Sequence, residues 1–132
     1  MLKQLEEYGK YVEITGFRNI KIEDAKAFID ALHADLPLVV EVQLFDADLV
    51  ASWQHLYFAA LNALMAFKNK RNISNSVAVE TVLYASSQRQ IKKAIDAIGL
   101  KPSSANAAVM VMSGNVDSVK AGLLAVVKCM GA

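Results

Sequence analysis

At 132 residues the chain has room for one ordinary domain and little for a second, so residues 1–132 are expected to act as a single domain. Its 55% hydrophobic and 20% charged residues exclude intrinsic disorder. A formal charge of +1 excludes a histone-like polycation but leaves a local basic patch open.

The first ten residues carry Lys3, Glu6 and Glu7 and lack an apolar leader core, so a cytoplasmic location is expected. Tyr11 to Phe17 alternates as a strand, with Val12, Ile14 and Gly16 on one face. Ile22, Ala25, Phe28, Ile29 and Leu32 recur at helical spacing. Pro37 marks a boundary, and Leu38 to Phe45 is a second strand. Leu49 to Phe67 holds no formal charge and approaches a membrane-spanning length. Asp48, Ser52, His55, Ala59, Asn62 and Ala66 form a polar stripe along it, which points to a central helix ending near Lys68 and to no membrane.

Asn72 to Ser74 breaks the pattern, and Ser76 to Ala85 is a shorter helix with Val79, Val82 and Leu83 inward. Ser87-Gln88-Arg89-Gln90 fits a capping box for the next helix, whose buried stripe is Ile91, Ala94, Ile95 and Ile98. Gly99 suits a left-handed C-terminal position, and Pro102 prevents continuation. Ala107 to Met112 is a third strand. Asn115 or Asp117 caps a last helix lined by Val119, Leu123, Val126, Val127 and Met130. The expected fold class is α+β, a mixed layer with a small central sheet of three to four strands covered by about five helices.

The charge is segregated. Residues 1–67 carry five basic and ten acidic groups, whereas residues 68–93 carry Lys68, Lys70, Arg71, Arg89, Lys92 and Lys93 against Glu80 alone. Arg89, Lys92 and Lys93 share one helix face, in early turns where the dipole disfavours cations. Free amides at the helix start near Ser76, beside Lys68-Asn69-Lys70-Arg71, suit a phosphate. A solvated face with Glu80 paired to Arg89 is the alternative reading. The segment lacks the aromatic platforms of common RNA-binding folds, so any RNA contact is expected to rest on amides and charge.

Catalytic signals are sparse. No phosphate-binding glycine loop, nucleophile elbow or HExxH zinc motif occurs. His55 beside Ser52 reads as a structural group rather than a base, and Cys129 as a small core hydrophobe. A lone cysteine supplies no disulfide or cysteine-rich metal site, and neither cofactor nor metal is expected.

The string from Asn75 to Gly99, NSVAVETVLYASSQRQIKKAIDAIG, resembles the small kinase-associated subunit of the KEOPS (EKC) complex, the TPRKB or PRPK-binding protein family. The matching pieces are Asn75-Ser76, Glu80, Ala85-Ser86, Gln88-Arg89-Gln90-Ile91, Ala94-Ile95 and Gly99, with Val50, His55 and Ala59 in register upstream. Gly16-Phe17-Arg18-Asn19 is similar as well, and the short length resembles an archaeal-type member. The resemblance implies a non-enzymatic subunit. It would bind the complex's atypical kinase/ATPase and the 3′ CCA end of tRNA, in support of threonylcarbamoyladenosine synthesis. With the charge pattern, it points to Lys68, Lys70, Arg71, Asn75, Ser76, Arg89, Gln90, Lys92 and Lys93 as RNA-binding residues. Exposed Leu124, with Lys120 and Lys128 on the last helix, marks the expected kinase-docking face. A protein-only adaptor that binds the kinase without touching RNA is the alternative.

Overall fold

The structure is a computed structural model that describes residues 1–36 and 39–130. Pro37, Leu38 and the last two residues, Gly131 and Ala132, lie outside the described residues, so the expected boundary at Pro37 and the expected strand start at Leu38 do too.

Strand β1 (Leu2–Leu5) pairs antiparallel with β2 (Lys10–Phe17). Helix α1 (Ala25–Asp35) and β3 (Glu41–Asp46) follow, then α2 (Trp53–Lys68), α3 (Val77–Ser86), α4 (Ile91–Ile98), β4 (Ala107–Ser113) and α5 (Val116–Cys129). The sheet order is β1-β2-β4-β3 and every pairing is antiparallel. This is an α+β fold with four strands and five helices. The expected order of elements holds, and β1 is the addition. Its three outward residues hide the pattern, since only Leu5 is buried.

β4 explains why the sheet has two helical layers. All seven of its residues are buried. Ala108, Met110 and Met112 alternate with Ala107, Val109 and Val111, so each set faces its own core. The first core joins Val12, Ile14 and Phe45 to α2, α3 and α4 through Leu56, Leu64, Val82, Ala94 and Ile98. The second joins Val42 and Leu44 to α1 and α5 through Leu32, Val119 and Val126. Each such aliphatic side chain contributes roughly 1.5–3 kcal/mol when fully buried. On α5, a Cβ at Gly122 would lie 2.8 Å from Val111 Cγ1 and 3.0 Å from Val40 Cγ1, so glycine sets the helix–sheet spacing.

Several local expectations are corrected. Asp48 and Ser52 precede α2 and lie outside its helical stripe. Gly99 is extended at φ −69° and not left-handed; a Cβ there would fall 2.6 Å from the Ile95 carbonyl oxygen. Cys129 is exposed on α5, not in the core. Ile91 and Ile95 are exposed as well, because only Ala94 and Ile98 of the α4 stripe reach the sheet side. Among the described residues, no helix is long and apolar enough to cross a membrane.

Candidate nucleic-acid interface

The ends of α2 and α3 are built alike. At the end of α2, Lys70 is left-handed at φ 57°, its amide donates to the Phe67 carbonyl (3.2 Å), and the Arg71 amide donates to Ala66 (2.8 Å). At the end of α3, Ser87 is left-handed at φ 59°, its amide donates to Tyr84 (3.3 Å), and the Gln88 amide donates to Leu83 (3.2 Å). Both are Schellman ends, which normally carry glycine at the left-handed position. A side chain there costs on the order of 1–2 kcal/mol.

This explains why the capping box does not form. Ser87 is engaged in ending α3, so it cannot also begin α4. Gln90 takes the N-cap position of α4 and makes no side-chain cap bond. Arg89 therefore sits in the α3–α4 turn and not on the α4 face with Lys92 and Lys93. Those two lysines fall in the first turn of α4, against the helix dipole.

The two Schellman ends converge on a cleft of about 420 Å³. Arg71, Ile73, Tyr84, Gln88 and Arg89 line it together with Glu80, Leu83 and Ser87. Tyr84 is 42% exposed, so its ring is available to a ligand. Tyr84 is the one aromatic side chain in the cleft lining, in a segment where the sequence offered no aromatic platform. The signal was its place one turn before Gln88-Arg89, masked by an apolar run that reads as core.

Glu80 is not the partner of Arg89. It is 1% exposed. Both its oxygens lie 3.1 Å from the Ile73 amide, and Oε1 accepts from the Ser74 amide at 2.8 Å, with the Ser74 hydroxyl at 2.9 Å. Three ion pairs occur among the described residues, and none includes Lys70, Arg71, Arg89, Lys92 or Lys93.

The other expected RNA residues are placed as follows. Lys68 pairs with Glu7 at 3.5 Å and lies 5.5 Å from the Tyr8 ring centroid, turned toward the amino-terminal segment. The Ser76 hydroxyl caps the Val79 amide at 3.0 Å, so the start of α3 is less open than expected. Lys68, Lys70, Asn75, Ser76, Gln90, Lys92 and Lys93 do not line the cleft, whereas Arg71 and Arg89 do. His55 is structural. Its Nδ1 accepts from the Ala51 amide at 3.2 Å, which leaves Nε2 to donate to the Ala85 carbonyl at 2.8 Å and ties α2 to α3.

On the opposite layer, Lys120, Leu124 and Lys128 are all exposed on α5, Leu124 to 63%. Leu124 and Lys128 border a groove with Leu32, Leu36 and Ala125 between α1 and α5. Among the described residues no group of three His, Cys, Asp or Glu is arranged to hold a metal.

Residues 17–130 match the model of a family described as kinase binding protein CGI-121. The chain belongs to the CGI-121 family. The match spans the cleft and the α1–α5 groove, and it agrees with the resemblance carried by the Asn75–Gly99 string. No curated protein matches the chain. Within CGI-121 terms, the cleft at the ends of α2 and α3 and the groove on α5 lie in the two different helical layers.

Proposed function

We propose that residues 1–132 act as one domain, a non-catalytic subunit of a KEOPS-type tRNA-modification complex. It binds the complex's atypical kinase/ATPase and recruits tRNA through the 3′ CCA end for threonylcarbamoyladenosine synthesis. Membership of the CGI-121 family supports the kinase half. The cleft carries the RNA half: two arginines that have no carboxylate partner among the described residues line it together with a half-exposed tyrosine and Gln88. Single-stranded RNA is held by this combination, with cations on phosphates, a ring under a base and side-chain amides on base edges. Lys70, Lys92 and Lys93 add positive charge to the same segment of chain, and Lys68, Asn75, Ser76 and Gln90 neighbour the cleft residues in sequence.

The kinase is assigned to the α5 face, where Leu124 stands between Lys120 and Lys128 over the α1–α5 groove. An exposed leucine alone is ordinary. Here it adjoins an apolar groove on the layer opposite the RNA cleft, so both partners fit at once. Co-purification with the kinase tests this half. Leu124→Asp is expected to abolish capture, and full capture by that variant would move the docking face elsewhere. For the RNA half, tRNA affinity is expected to fall steeply as salt rises. Tight kinase binding with no tRNA binding at any salt would leave the protein-only adaptor.

A further inference from the structure

An anion on the wall of a cleft that collects anions is unfavourable by simple charge repulsion. Glu80 occupies that place, yet the fold buries it and surrounds it with neutral donors, the amides of Ile73 and Ser74 and the Ser74 hydroxyl. The donors belong to the α2–α3 loop; the acceptor belongs to α3. That loop supplies Arg71 and Ile73 to one wall of the cleft, while α3 and the turn after it supply Tyr84, Gln88 and Arg89 to the other. The Glu80 carboxylate therefore fixes one wall against the other. Because amides fill its acceptor sites, it also forms no ion pair with Arg71 or Arg89.

The geometry points to Glu80 as a positioning residue for the RNA 3′ end: it clamps the Arg71–Ser74 loop onto α3 and leaves both arginines open to phosphate. The clamp itself follows from the hydrogen bonds, and its effect on RNA rests on the function proposed above.

Glu80→Gln removes a negative charge from an anion-binding cleft. If the carboxylate were only a nearby charge, RNA affinity would rise. A clamp gives the opposite sign: with the glutamine oxygen kept on the Ser74 donors, its NH₂ would face the Ile73 amide at the Oε2 position, and the remaining bonds would lose their charge assistance, so the loop would loosen. With the full chain and a short single-stranded RNA ending in CCA, affinity is expected to fall about tenfold. Ser74→Ala leaves all charges in place and is expected to lower affinity about threefold, which keeps the test alive if Glu80→Gln does not fold. In both variants, hydrogen exchange at the Ile73 and Ser74 amides is expected to speed up beyond any change at the β4 amides, which report global opening. Unchanged or tighter RNA binding by a folded variant would overturn the positioning role. If the wild-type chain binds no RNA, the proposed function fails instead. The exchange rates then decide the clamp, and wild-type rates at Ile73 and Ser74 in the variants would refute it.

Discussion

The α1–α5 layer and the α2–α3–α4 layer cover the same sheet, but they finish their helices differently. On the first, both helices start with a side-chain cap, Asp24 to the Ala27 amide and Asn115 to the Ser118 amide. Where α5 comes close to the sheet, the residue is Gly122. On the second, α2 and α3 each end on a left-handed residue that is not glycine, and α4 begins uncapped with two lysines in its first turn. Apart from the Ser76 cap at the start of α3, local stability is served on one side and forgone on the other. The side that forgoes it carries the cleft with the two arginines, which is where strain is expected if that cleft is the proposed RNA site.

Four variants break or sharpen this contrast. The largest effect is expected from Arg71→Glu with Arg89→Glu. Affinity for CCA-ended RNA should drop at least about a hundredfold by filter binding, since two phosphate-directed charges are reversed. Stability should stay within about 0.5 kcal/mol, because neither arginine has an ion-pair partner among the described residues. Gly122→Ala acts on the other layer. The new methyl meets Val111 and Val40, and urea denaturation should show a loss of about 1–3 kcal/mol with RNA affinity of the folded protein unchanged. Tyr84→Ala should weaken RNA binding about tenfold by removing a stacking surface. Smallest is Ser87→Gly, which relieves the left-handed side chain. It should raise stability by about 0.5–1 kcal/mol, after allowance for the greater freedom of glycine in the unfolded chain. Wild-type stability in that variant would mean that the φ of 59° carries no strain.

The sequence was most legible where one periodicity dominated. The β4 run, the α1 stripe and the long α2 segment each declare themselves, and the order of elements follows from them. β1 was missed because a four-residue edge strand with one buried side chain has no pattern to read. The Ser87–Gln90 motif misled for a physical reason. A serine three residues before a glutamine satisfies the capping-box pattern, yet the same serine lies just past the end of a preceding helix, and that helix claims it first. The basic segment pointed to six cations, Lys68, Lys70, Arg71, Arg89, Lys92 and Lys93, of which Arg71 and Arg89 line the cleft. It did not reveal that Glu80 bonds loop amides instead of arginine, because hydrogen bonds to backbone leave no trace in residue identity. Tyr84 was hidden among apolar neighbours, although Val82 and Leu83 beside it are buried and Tyr84 is not.

The central claim, that the Arg71–Tyr84–Arg89 cleft receives the unpaired 3′ end of tRNA, is tested most directly by titrating the 132-residue chain against intact tRNA and against the same tRNA trimmed of CCA. Trimming is expected to weaken binding by more than about tenfold, through loss of the stacked base and its phosphates. Equal affinity for the two would contradict the account.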